Sequence, residues 1–327
     1  MTSHNKVLAV FALFGAVGFA QRVSTEPQAG QPARNAAAEV STFKVQGNVY
    51  LLVGAGGNIA VQVGDDGVLV VDTGLAQNSE KVLAAIRTLS DKPIRWVLNT
   101  HFHPDHTGGN EAIAKAGSKT TGGPAEILAH ENVLTRMSAP AGGKASPTPT
   151  AAWPTDTYFP GEKDIYFNGE AVMLFHDQAA HTDGDSMVLF RKSDVIAAGD
   201  VFVTTSYPFI DQANGGTIQG EINALNHILD LAVPAHQQEG GTFVIPGHGR
   251  VCDEADVLEY RDMVTIVRDR IQDMVKRGLT IDQVKAAKPT LDYDRHYGSE
   301  TGFVTTAGFI EAVFKDLSKP QGKPAVR

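Results

Sequence analysis

A chain of 327 residues with 42% hydrophobic content is long enough for one sizeable core or two small ones. Its net charge of -9, with Lys and Arg scattered along the chain, leaves no basic stripe for a phosphate backbone and argues against nucleic acid as a partner. The single cysteine, Cys252, excludes an internal disulfide.

At the amino terminus, Lys6 precedes an apolar run from Val7 to Ala20 that is too short to span a bilayer comfortably and ends in small residues. The run predicts a signal peptide over residues 1 to 20, cleaved near Ala20, and hence an exported, periplasmic protein. An uncleaved anchor is the alternative, and it is the one route by which a membrane becomes a partner. Residues 21 to 38, rich in Gln, Ala and Pro, read as a flexible leader to a domain covering 39 to 327.

Short β-type runs follow at Phe43 to Val45, Val49 to Val53, Asn58 to Val63 and Val68 to Val71, separated by Gly-rich turns, and predict an antiparallel meander. Val82, Leu83, Ile86 and Leu89 are spaced for a helix over Ser79 to Leu89. The apolar Ile94 to Leu98 reads as a buried strand. Helices are expected at Glu111 to Lys115 and at Pro124 to Met137, the second opened by its proline. Residues 139 to 157 have little to bury and read as a loop, or as a flap over the site carrying Trp153.

Strand patterns resume at Asp164 to Phe167, Ala171 to His176, Ser186 to Arg191 and Val195 to Ala198, with a helix at Ile222 to Leu231 and a last strand at Thr242 to Ile245. Residues 253 to 327 are mainly helical, at Glu254 to Arg277, Ile281 to Lys288 and Gly302 to Leu317, and read as a cap without chemistry.

The chemistry concentrates in the loop Asn99 to Asn110. Within six residues it offers His101, His103, Asp105 and His106, all good ligands for a borderline divalent metal such as zinc. Placed on a loop at a strand end, they sit where a sheet can aim side chains at one point. His130, His176, His227, His236 and His296 stand apart from this cluster. His130 and His227 fall on expected helices, while His176 is close enough to His181 to be its hydrogen-bond partner.

His101-Phe-His-Pro-Asp-His106 resembles the signature of the metallo-β-lactamase superfamily of hydrolases. Val68-Leu-Val-Val-Asp72-Thr-Gly74, Ala180-His181-Thr-Asp-Gly-Asp185, Ala198-Gly-Asp200 and Pro246-Gly-His248-Gly249 resemble further family motifs in the family's order. The resemblance implies an α/β fold, the four-layered αββα sandwich, here with carboxy-terminal helices. It also implies two zinc ions: one on His101, His103 and His181, with a fourth position left for water, and one on Asp105, His106 and His248, with Asp200 as the bridge. Asp72 then either orients a ligand histidine or caps its own turn.

Such a site uses a metal-bound hydroxide to hydrolyse an acyl bond of a small molecule, a β-lactam amide, a lactone or a related ester, with Asp105 helping to protonate the leaving group. Asp200 and Val203 differ from the Cys and Lys of the best known secreted β-lactamases, so lactamase activity is expected to be weak or promiscuous. A thioesterase of the glyoxalase II kind and a mononuclear-iron sulfur dioxygenase are the alternatives, and the ligand types accept zinc, manganese and iron to differing degrees. Asn214 is expected to make a turn in preference to an oxyanion contact.

Overall fold

The computed structural model describes residues 39–319 apart from 143, 160, 238 and 239. The expected signal segment and leader lie outside the described residues. The described residues form one compact unit.

Strands β1 (Ser41–Gln46), β2 (Val49–Val53), β3 (Ile59–Gly64) and β4 (Gly67–Val71) form the expected antiparallel meander. Helix α1 (Ser79–Leu89) then crosses to β5 (Ile94–Leu98), which lies parallel to β4. After α2 (Pro104–Thr107) and α3 (Asn110–Ala116) come β6 (Glu126–His130), α4 (Glu131–Ser138) and β7 (Asp156–Tyr158), completing a seven-stranded sheet in sequence order. The second sheet holds β8 (Glu162–Phe167), β9 (Glu170–His176), β10 (Ser186–Phe190), β11 (Val195–Val203) and β12 (Phe243–His248), in the order β12-β11-β10-β9-β8. Helix α5 (Ile218–Leu231) joins β11 to the parallel β12, and α6 (Glu254–Lys276), α7 (Ile281–Ala286), α8 (Asp294–Tyr297) and α9 (Thr306–Leu317) follow.

Side-chain alternation in these strands builds the layers. In β4, Leu69 and Val71 face the second sheet, where they meet Leu174, Val188 and Phe190, while Val68 and Val70 face α1 and α3 through Val82, Ile86 and Ile113. On the far side, Met187, Ile196 and Ala198 pack under Leu225, Val264 and Phe309 of α5, α6 and α9. Helices, sheet, sheet, helices: the four-layered sandwich is present. Between the sheets one polar seam is fully bonded. The buried Glu170 accepts from Gln62 Nε2 at 2.7 Å, Ser193 Oγ at 2.7 Å and the backbone N–H groups of Lys192 and Ser193 at 2.9 Å.

The structure corrects several expectations, among them the helix read from Gly302, which begins only at Thr306. Residues Pro124 to Met137 are not one helix. Ile127, Leu128 and Ala129 enter the sheet as β6, parallel to β5, and the helix starts only at Glu131. A short apolar run fits a buried parallel strand as well as a helix, and pairing with β5 decides between them. His130 is therefore the strand's last residue and the N-cap of α4, its Nδ1 accepting from Asn132 N. Residues 139 to 157 are also less featureless than expected. Trp153 packs against the cluster of Ala129, Val133, Met137 and Ala152, its Nε1–H donates to Thr148 O at 3.1 Å, and the segment runs into β7.

Glu221, on the buried face of α5, has both carboxylate oxygens sequestered without a hydrogen-bond partner. Burial, reinforced by Asp185, Asp200 and Asp177, pushes its pKa well above the usual carboxylate range. The folded chain therefore keeps a proton that the unfolded chain releases, and this acid weakens the fold as pH rises above the unfolded value. Glu221→Gln should match the parent near pH 4 and gain stability over it from pH 5 to 8, read from urea midpoints. A constant difference across that range would contradict the assignment.

Candidate metal centre

The loop from Asn99 to Asn110 is held shut at its base. Asn99 and Asn110, both fully buried, bond side chain to side chain in both directions at 3.0 and 2.8 Å, and Asn110 also accepts from Thr73 Oγ1 at 2.9 Å and donates to Ala152 O. Between these two asparagines, Pro104 opens the single turn α2, which brings His106 back beneath His101 and His103.

Other elements deliver the remaining groups. His181 follows β9 in a turn where Thr182 N and Oγ1 both donate to the Asp185 carboxylate. Asp200 lies within β11, not past its end, just after a register shift at Gly199, whose φ of +57° suits glycine and turns the strand locally. His248 ends β12. Two glycines make room: a Cβ on Gly247 would collide with the Asp200 carboxylate, and one on Gly57 with the His106 ring.

All seven side chains expected to hold metal converge. His101, His103, His181 and Asp200 offer one group of ligand atoms and Asp105, His106 and His248 another, the atoms of each lying within 4.8 Å of one another. His103 Nδ1 is 3.1 Å from His101 Nε2 and 2.9 Å from His181 Nε2. Those spacings suit nitrogens around one tetrahedral ion with bonds of about 2.0–2.1 Å. Asp200 faces both groups, with Oδ2 3.9 Å from His181 Nε2 and Oδ1 3.1 Å from His106 Nε2 and 3.5 Å from His248 Nε2. Asp105 Oδ2 lies 3.2 Å from His248 Nε2 and 3.8 Å from His106 Nε2.

His106 Nε2 and Asp200 Oδ1 are buried and close, yet they lack the alignment of a hydrogen bond. They point at a common space more than at each other. Orphaned buried atoms of this kind are costly unless something satisfies them, and a divalent cation fits this donor set.

The outward ring nitrogens are held in turn. Asp72 Oδ2 accepts from His106 Nδ1 at 2.8 Å and from Thr100 Oγ1 at 2.7 Å, Oδ1 accepts from Thr100 N at 2.8 Å, and the Thr100 hydroxyl lies 3.0 Å from His101 Nδ1. His103 Nε2 lies 3.0 Å from Asp211 Oδ2, and His181 Nδ1 donates to Phe209 O at 2.5 Å. Asp211 is a residue the sequence did not single out. Asn214 donates to it from both backbone N and side-chain Nδ2, so Asn214 serves the turn. His176 does not reach His181: it stacks on His130 with centroids 3.6 Å apart and bonds the Asp183 carbonyl. His227 pairs with Asp177.

The electrostatics follow from the packing. Burial, then the neighbouring His106 and His181, holds His101 neutral well below the usual histidine range, and burial also lowers His181. For His106, burial opposes protonation, but the Asp200 and Asp72 charges outweigh it and raise the pKa well above normal. Asp200 is lowered well below the carboxylate range despite its burial, chiefly by His106. In His248 burial is again outweighed, by the carboxylates of Asp105 and Asp200 beside its Nε2, and the pKa rises to about 9.

Comparison with known proteins agrees with this architecture. The chain belongs to the metallo-beta-lactamase superfamily, whose family model matches residues 43–248. It is 27% identical over 260 residues to a linear primary-alkylsulfatase from Pseudomonas sp. (strain ATCC 19151), an alignment covering 67% of this chain and 47% of that protein. In fold it is similar to a stereoselective inverting sec-alkylsulfatase from Pseudomonas sp., with a TM-score of 0.62 and 18% identity over 88% of this chain and 51% of that one. A metallo-beta-lactamase from Pontibacter korlensis is similar with a TM-score of 0.54 and 16% identity over 69% of this chain and 99% of that one. The chain thus spans about half the length of the alkylsulfatases it matches.

Two expectations can be measured here. Asp72→Asn keeps the volume but presents an amide to His106 and Thr100. Zinc affinity should fall about 10–100-fold in chelator competition, with the circular dichroism spectrum retained; unchanged affinity would show that Asp72 only supports the turn. Cation binding must also displace the protons on His106 and His248. Apparent zinc affinity should therefore climb with pH up to about 9, the value for His248, and a flat profile between pH 7 and 9 would contradict that pairing.

Proposed function

We propose that this chain is a dinuclear, zinc-preferring hydrolase of a small ester-type substrate, with one cation on His101, His103 and His181, the other on Asp105, His106 and His248, and Asp200 between them. The observation that carries the reading is the position of Asp200, whose two oxygens face the two ligand groups from a buried site. Two cations held there would supply an acidified water and a Lewis acid for the bond under attack. The protein's own part is to keep the donors rigid. Asp72, Asp211 and the Phe209 carbonyl fix the rings, and Asp105, about one third exposed, sits where it can pass a proton to a leaving group.

An acyl ester or lactone is the first substrate class. A sulfate ester is the second, favoured by the similarity to the linear primary-alkylsulfatase. Arg136 and Arg250 are each paired with a carboxylate, Asp183 and Asp256. Thioester hydrolysis of the glyoxalase II kind is the alternative reading of the same centre. A single-iron oxygenase would need one cation, not two. Export through residues 1 to 20 is part of the proposal and places the substrate outside the cytoplasm.

The test is elemental analysis of the purified chain alongside turnover of p-nitrophenyl acetate, a homoserine lactone, a cephalosporin, a thioester and dodecyl sulfate, with and without chelator. About two zinc per chain and chelator-sensitive turnover are expected. Asp200→Ala should lose one zinc and about 100-fold or more in rate. Full metal content and full rate in that variant would refute the shared bridge, and one iron per chain would refute the hydrolase.

A further inference from the structure

The aromatic side chains beside the centre suggest what part of a substrate it meets. Phe303 lies beyond the family-matched residues, in the loop between α8 and α9, and its ring is 83% exposed. An apolar ring so exposed is not held by a core. One contact does place it: its edge rests on Phe209, with centroids 4.7 Å apart and planes at 62°. Phe209 in turn lies 5.6 Å from the His181 ring and 6.0 Å from the His103 ring, and its carbonyl holds His181 Nδ1. The two rings therefore form a continuous apolar strip from two of the ligand imidazoles to solvent.

The loop is built to hold that position. Ser299 and Thr306 close its base, with Thr306 N donating to Ser299 O at 2.8 Å and Ser299 N to Thr306 Oγ1 at 3.1 Å, while Gly302 takes a φ of +102° that side chains rarely adopt. Helix α9 is tied to the site from behind. Gln212 Nε2 donates to Ala312 O at 3.0 Å, from the same short turn that contains Asp211, and Asp316 accepts from Ile218 N at the start of α5.

Resting on the hydrolase reading above, we infer that Phe303 and Phe209 form a recognition wall for an uncharged alkyl or aryl group of the substrate, on the His103 and His181 side of the centre. Phe303 is then a specificity-determining residue supplied by the carboxy-terminal segment, which the sequence alone reads as a cap without chemistry. Aromatic faces bury such groups effectively and offer nothing to a charged or strongly hydrated one. The ester group would be held at the ligand residues on the His103 and His181 side, with its apolar substituent running outward along the two rings.

The test uses the full zinc-loaded chain with p-nitrophenyl esters of two, four and eight carbons, and separately the binding of octanoate and acetate by calorimetry, which needs no turnover. The parent should prefer the longer esters and bind octanoate about tenfold or more tighter than acetate. Phe303→Ala should lose that preference progressively with chain length, mainly through KM, by about tenfold at eight carbons. Phe303→Leu should recover most of it, and zinc content should not change. Equal losses at every chain length, or octanoate bound no tighter than acetate by the parent, would overturn the wall. A parent that discriminates octanoate from acetate but turns over none of these esters would uphold the wall and refute the acyl-ester reading of the centre.

Discussion

One buried carboxylate ties the two halves of the centre together. Asp72 is 2% exposed, sits at the end of β4 with a φ of +62°, and is pinned by its own N–H to Leu98 O at 2.7 Å. One of its oxygens bonds His106 directly and reaches His101 through the Thr100 hydroxyl. His101 belongs to one ligand group and His106 to the other, so a single residue sets the orientation of both. A left-handed backbone at a non-glycine residue is costly, and its persistence at this position shows how far the surrounding bonds determine it.

The fold supplies the rigidity on which this arrangement depends. The loop 99–110 leaves β5 between β4 and β6, and its ends are locked by Asn99 and Asn110. The second sheet brings Asp200 and His248 in from β11 and β12, and Asn58 crosses between sheets, donating to Pro246 O at 2.8 Å and Gly249 O at 3.0 Å. Neither sheet carries a complete ligand set. The centre exists only where the two are packed together, and the close packing of the core beneath it limits how far either group can drift.

The sequence reveals the centre more readily than its supports. His101, His103, Asp105 and His106 are legible because ligand spacing within one loop is a local property. His181, Asp200 and His248 are legible only through motif resemblance, since nothing in their spacing says that three distant turns meet. Asp211, Asn110, Gly57 and Phe303 act through contacts 11 to 100 residues or more away, and each alone is an ordinary turn, loop or surface residue. The meander is legible from periodicity, although β1 extends beyond the expected Phe43 to Val45 to span Ser41–Gln46, and α1 is legible at full length. The segment after Pro124 was not, because its run of Ile127, Leu128 and Ala129 satisfies strand and helix alike until β5 provides the pairing partner.

The most direct measurement of the central claim is anomalous X-ray diffraction from zinc-soaked crystals, recorded on both sides of the zinc absorption edge. Two peaks are predicted, one among His101, His103 and His181 and the other among Asp105, His106 and His248, with the Asp200 carboxylate between them. A single peak, or a pair that leaves Asp200 outside, would contradict the shared centre on which this account rests.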